Sequence, residues 1–223
     1  MPLPIISESR LLAIADIHGY HEELLLLLQK ASYNPLKDQL ILLGDYIDAD
    51  EPATWRSLSI IKQLASEGAK ALLGNQELKL LAAERRDKRL SLPHQQWLQS
   101  LPFYHLDRTY LFVHAGIRPG IPLAKQSHKD LTEIRDGFIY EKLTLQDECQ
   151  PYVIIFGHTP TFKLKVQPGE LWHGDRRIAI DTGAKHGYRL TLLDLTSKLS
   201  YSCSTASTSR GGHMRITSLP PHI

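Results

Sequence analysis

The chain has 223 residues, 42% of them hydrophobic and 22% charged, with 14 glycines, a composition that suits a globular protein with one large core. Lys plus Arg number 26 against 24 Asp plus Glu, so the formal charge of +2 offers no basic surface for nucleic acid. Cys149 and Cys203 lie far apart and in no CxxC pattern, which argues against a disulfide framework or thiolate zinc site and for a reducing cytoplasm. The first ten residues show no basic stretch followed by an apolar one, and no apolar run approaches the ~18 residues of a membrane span, so neither leader nor membrane partner is expected.

In chain order, residues 11–15 form a short apolar run, and 20–32 read as a buried, Leu-rich helix. The pattern recurs as a strand at 39–43, a helix at about 54–67, a strand at 69–73 and a helix at about 77–86. Strands that alternate with helices predict a largely parallel sheet covered on both faces. A short helix at 93–101 would sit in a small helical cap insert near 84–102. Further on, 110–113, 153–156, 177–180 and 189–193 read as strands, with a helix near 128–135. The domain is expected to span 1–202. Residues 203–223, rich in Ser, Thr, Gly and Pro, read as a C-terminal tail or surface arm.

Five strand-like runs end in small polar clusters: Asp16-Ile17-His18-Gly19, Gly44-Asp45-Tyr46-Ile47-Asp48, Gly74-Asn75-Gln76-Glu77, His114-Ala115-Gly116 and Gly157-His158-Thr159. Strand ends are where α/β folds place ligands. Asp16 and His18 are two residues apart, so on a chain that leaves the strand extended both would point the same way and could share one ion. Asn75, His114 and His158 offer a mixed oxygen and nitrogen shell suited to manganese, iron or zinc, and Asp45 can bridge two ions. Taken singly, each residue has an ordinary reading: a turn or cap acid for Asp16 or Asp45, a cap for Asn75, a buried hydrogen-bonded imidazole for His114 or His158. Six such residues, each at the end of an apolar run, argue for metal.

With these motifs the chain resembles the calcineurin-like metallophosphoesterases, and within them the phosphoprotein phosphatase group, which includes small bacterial and phage serine/threonine phosphatases and symmetrical dinucleoside tetraphosphate hydrolases. The group's pattern is DxHG, GDxVDRG, GNHE, HAG and a later GH, and this chain follows it in order over about residues 10–195. The resemblance implies an α/β fold of the metallophosphoesterase type, a two-sheet β-sandwich flanked by helices. It also implies two divalent ions, most simply manganese, with iron or zinc as alternatives. Asp16, His18 and Asp45 would hold one, and Asp45, Asn75, His114 and His158 the other. The implied chemistry is attack on phosphorus by a metal-bridging hydroxide.

The chain departs from the pattern at three positions. Ala49 stands where the group has a phosphate-contacting arginine, Asp50 where it has glycine, and Gln76 where it has the histidine that protonates the leaving group and that Asp48 would orient. Glutamine can donate a hydrogen bond but cannot deliver a proton. A basic alkoxide leaving group, as from phosphoserine, suffers most from that loss, and a leaving phosphate least. Arg135, by resemblance to a WxRE-like segment, is expected to bind phosphate, and His186 is a candidate substitute acid. The leading expectation is thus a metal-dependent phosphoesterase acting on a phosphorylated protein or a nucleotide. The alternatives are a dinucleoside polyphosphate hydrolase and a metal-binding protein that recognises a phosphorylated ligand without turning it over. The sequence is silent on oligomeric state.

Overall fold

In a computed structural model, which describes residues 9–87, 90–144 and 147–220, the first apolar run becomes β1 (Leu11–Ile14), buried along its whole length. Its side chains alternate: Leu12 and Ile14 join one core cluster, Leu11 and Ala13 another, so the run is apolar because both faces of the strand are covered. The helix α1 (His21–Lys30) then buries Leu24, Leu27 and Leu28, the spacing of one helical face. Glu22 and Glu23 in its first turn and Lys30 in its last suit the helix dipole. After β2 (Gln39–Leu42) come α2 (Ser57–Ser66), β3 (Lys70–Ala71), α3 (Asn75–Asp87) and α4 (Leu92–Gln99).

The second half begins with β4 (Tyr104–Asp107) and β5 (Tyr110–Val113), an antiparallel pair, followed by α5 (His128–Glu133), α6 (Asp136–Ile139) and β6 (Val153–Phe156). It closes with β7 (Trp172–Gly174), β8 (Arg177–Ala179), β9 (Arg189–Asp194), β10 (Leu199–Ser204) and β11 (Arg215–Ser218). Two sheets result, in the orders β11-β10-β9-β1-β2-β3 and β4-β5-β6-β8-β7. Leu11, Ile41, Phe112, Ile155, Ile178 and Leu193 pack between them. The first sheet turns its other face to α1 and α2, and the second turns its own to α5 and α6. The architecture is a two-sheet sandwich flanked by helices.

Parallel pairing is confined to β1, β2 and β3 in one sheet and β5, β6 and β8 in the other. The antiparallel β9, β10 and β11 widen the first sheet beyond the parallel arrangement expected from the alternation of elements. Residues 203–220 do not form a separate tail. Cys203 and Ser204 complete β10, and β11 pairs along it at the sheet edge. Ser-rich β10 lacks the composition of a strand, but Tyr201 and Cys203 alternate into the core while Ser200 and Ser202 face the other way. In the stretch expected as a cap, α4 is present and Leu90 and Leu98 join the core, while residues 88–89 lie outside those described. No helix among the described residues is long and apolar enough to cross a membrane.

Candidate metal centre

Six strands that run parallel within their sheets deliver their carboxyl ends to one place. Just beyond β1, β2 and β3 stand Asp16, Asp45 and Asn75, and just beyond β5, β6 and β8 stand His114, His158 and Asp181. The loops lock onto one another through the backbone, with Asp16 N–H donating to Gly44 O at 3.1 Å, His18 N–H to Asp45 O at 2.9 Å and Gly157 N–H to His114 O at 2.8 Å. His158 N–H donates to Asp16 Oδ2 at 2.9 Å and so ties the two sheets together. Asp16, His18, Asp45 and His158 all have positive φ, between 46° and 62°, where side chains other than glycine are uncommon, so the chain does not leave β1 extended, and a left-handed turn rather than strand alternation brings Asp16 and His18 together. The glycine before His158 has a steric reason: a Cβ on Gly157 would clash with Asp16 Oδ2 and crowd the Ala15 methyl.

The ligand-type atoms form two groups that share one residue. Asp16, His18 and Asp45 make the first and Asp45, His114 and His158 the second, with the atoms of each group within 4.8 Å of one another. Asn75 Oδ1 belongs to the second, 3.1 Å from His114 Nε2 and 2.9 Å from His158 Nδ1. These are the six residues that the sequence motifs single out.

The donor set fits divalent cations. His114 Nδ1 lies 2.8 Å from Leu43 O, and a carbonyl only accepts, so Nδ1 carries the hydrogen. In the neutral ring Nε2 is then a bare lone pair, yet it faces Asn75 Oδ1 and, at 3.4 Å, Asp45 Oδ1. Acceptors turned on acceptors are what a cation between them resolves. Burial pushes the His114 imidazole down to about 4 and, with the charges of His114 and Arg135, that of His158 to about 2, so both rings are held neutral. Burial pushes Asp45 up to about 6, although His18 and the Gln76 N–H oppose it, and raises Asp16 and Asp181 as well. Three buried carboxyls so close together call for positive charge.

Around these groups a cavity of about 170 Å³ is lined by Gln76, Arg135, Lys163, Lys185 and His186 in addition to the acids and imidazoles. Arg135 and His186 therefore both face the site, His186 with its ring edge-on to Phe162 at 5.2 Å. Asp48 lies 3.5 Å from His18 Nδ1 and pairs with the Lys185 ammonium. Burial would raise its pKa, but His18 and Lys185 outweigh that and hold it at about 2. Gln76 Oε1 accepts the Ala49 N–H at 3.2 Å, Ala49 packs into the core, and Asp50 turns away to pair with Lys79.

Sequence reasoning passed over two residues here. Glu77 is wholly buried, and its carboxylate accepts from Asp45 N and Tyr46 N at 2.8 Å each and from Gly74 N at 3.0 Å, fixing the β2 and β3 loops together. Its signal was the acid that ends Gly74-Asn75-Gln76-Glu77. Lys185, next to His186, carries no motif of its own in the sequence.

Residues 9–192 match the family described as calcineurin-like phosphoesterase. The symmetrical bis(5'-nucleosyl)-tetraphosphatase of Photorhabdus laumondii is 38% identical over 122 residues, which is 48% of this chain and 44% of that protein. A second symmetrical bis(5'-nucleosyl)-tetraphosphatase, from Shewanella frigidimarina, is 33% identical over 137 residues, 52% of this chain and 48% of that one. The chain thus spans about half the length of the curated relatives it matches. A solved structure provisionally described as a diadenosine tetraphosphatase superposes with a TM-score of 0.72 over 93% of this chain and 97% of its own, at 22% identity. That likeness speaks for the fold.

Proposed function

The chain belongs to the calcineurin-like phosphoesterase family, and from that premise we propose that it is a metal-dependent hydrolase of phosphate esters and anhydrides that works best on a phosphoanhydride, a dinucleoside polyphosphate being the substrate to try first. The observation that carries this reading is the pair of ligand groups sharing Asp45, with the bare Nε2 of His114 turned on the oxygens of Asn75 and Asp45. In it Asp16, His18 and Asp45 hold one divalent ion, and Asp45, Asn75, His114 and His158 hold a second, with manganese the first choice. When bound, such ions supply Lewis acidity for activating water and neutralising phosphoryl oxygen.

The remaining steps fall to this chain's own side chains. Arg135 lines the cavity beside His158 and supplies charge for a phosphoryl oxygen. Asp48 Oδ1 stands 3.5 Å from His18 Nδ1, on the far side of the ring from Nε2, which lies 3.9 Å from carboxylate oxygens of both Asp16 and Asp45. Gln76 cannot deliver a proton, so position 76 gives no help to a basic leaving group, and this favours a departing phosphate, stable as an anion, over a serine alkoxide. This favours a nucleotide over a phosphorylated protein, in keeping with what the curated relatives are named for. The cysteines, both free and buried, suit a reducing compartment, and we place the protein in the cytoplasm.

The test is equilibrium dialysis against manganese alongside turnover. The expectation is two ions per wild-type chain, and for Asp45→Asn weakened binding with turnover lost. A wild type that binds no ion at millimolar manganese would refute the reading.

A further inference from the structure

Lys185 is a cation whose placement nothing so far accounts for. It sits within the 3-10 turn Ala184–His186, bracketed by Gly183 at φ +86° and Gly187 at φ +72°. The turn is pinned from behind: Ala184 is buried, its carbonyl accepts Thr205 Oγ1 at 2.8 Å, and Tyr188 N–H returns to Gly183 O at 3.1 Å. From this fixed base the side chain, 44% exposed, leans into the cavity wall and rests its ammonium on Asp48 Oδ1. An ammonium carries three donors. Asp48 engages it from one side, and the others remain for a ligand in the cavity.

The charges on the cavity wall are divided. Arg135 and Lys163 act on His158, at the end held by the second ligand group. Lys185 rests on Asp48, whose Oδ1 lies 3.5 Å from His18 Nδ1 of the first group. Besides the acids there, the residues at positions 76 and 49 bring no positive charge to that side, since Gln76 commits its carbonyl to Ala49 N–H and the Ala49 methyl packs into the core. A ligand whose charge extends toward the Gln76 side therefore meets the Lys185 ammonium.

We propose that Lys185 is a specificity-determining residue: resting on Asp48, its ammonium binds the anionic oxygens of the departing group and so selects substrates in which that group is itself a phosphate. This rests on the phosphoesterase reading above. In the hydrolysis a water oxygen forms the new bond to phosphorus, the bond to the departing phosphate breaks with its electron pair, and of the two protons of water one passes to solvent and the other stays on the new phosphoryl oxygen. The departing phosphate keeps its charge, and a fixed ammonium stabilises that charge without having to transfer a proton.

The probe is ADP, a phosphate-terminated group of the class that would depart, with binding read from the concentration dependence of the melting temperature of the manganese-loaded protein. Lys185→Met should weaken ADP binding roughly tenfold to a hundredfold, the range for a hydrogen bond to a charged group. Lys185→Arg should restore most of it with an unliganded melting temperature close to the wild type's, because it keeps a cation on Asp48 and the turn is held by backbone and by Ala184. The same Lys185→Met change should lower kcat/KM on diadenosine tetraphosphate by a similar factor and on p-nitrophenyl phosphate by less. Equal ADP binding by wild type and Lys185→Met, or no ADP binding by wild type, overturns the proposal. Lys185-dependent ADP binding by a protein with no turnover above the Asp45→Asn blank supports it and refutes the hydrolase reading instead.

Discussion

Gln76 Oε1 accepts the backbone N–H of Ala49 at 3.2 Å, so two of the positions at which this chain departs from its family's motifs meet in one hydrogen bond. The side chain at 76 is thereby held at the edge of the cavity with its carboxamide oxygen committed. Asp48, next to Ala49 in the chain, carries the Lys185 ammonium. The departures at 49 and 76 and the lysine at 185 thus form one connected arrangement.

Gln76→His introduces a side chain able to deliver a proton beside Asp48. Phosphoserine hydrolysis should rise by roughly a hundredfold or more, within the usual range for general acid catalysis, while hydrolysis of diadenosine tetraphosphate should change by only a few-fold. Initial rates on both substrates check this. Equal gains would remove the argument from leaving-group basicity.

Glu77→Gln replaces one accepting oxygen with an amide that has hydrogens of its own, facing the N–H groups of Asp45, Tyr46 and Gly74. Leaving buried N–H groups unpaired should cost about 2–4 kcal/mol in urea unfolding. Manganese binding should weaken at the same time, because Asp45 and Asn75 lie on the two loops that Glu77 joins.

Gly157→Ala drives a methyl group into Asp16 Oδ2, far inside van der Waals contact. Asp16 must swing away, and the His158 N–H loses its acceptor. The variant should no longer gain melting temperature on adding manganese, whereas wild type should gain several degrees. An unchanged response in the variant would mean that Asp16 does not hold the ion.

The metal-free protein should have an unusual pH dependence. Burial raises Asp45 to about 6 and Glu77 to about 7, above their unfolded values, so the folded state holds protons that the unfolded chain releases. Stability from these groups is complete at the acidic end and is lost as pH rises through about 4–7. His114 and His158, lowered by burial, act in the opposite sense, losing stability as pH falls below about 6.5. Without metal the protein should melt higher near pH 6.5 than at pH 8, and manganese should remove the difference by taking the place of the protons. A metal-free melting temperature that climbs steadily to pH 8 would contradict this.

Much of this centre was legible in the sequence because its residues sit where apolar strands stop. Asp16, Asp45, Asn75, His114 and His158 each follow such a run, and strand ends face one way when the strands are parallel. Glu77 was harder to read because its role lies in three backbone N–H groups, which carry no side-chain signature. Lys185 was hidden because its contact to Asp48 spans 137 positions, and only the turn between Gly183 and Gly187 sets which side chain, 185 or 186, reaches that acid. In the fold, β10 and β11 escaped notice because a strand of alternating serines is stabilised by what packs on it, here Tyr201 and Cys203 on the core side, more than by intrinsic preference.

The central claim, a metal-dependent hydrolase suited to good leaving groups, is tested most directly by initial rates of the manganese-loaded protein on diadenosine tetraphosphate and a phosphoserine peptide, with Asp45→Asn as the blank. The account predicts turnover of the anhydride well above the blank and phosphoserine turnover at least roughly a hundredfold lower, the scale of a missing general acid. Turnover of phosphoserine as fast as that of the anhydride, or no turnover of either above the blank, would contradict it.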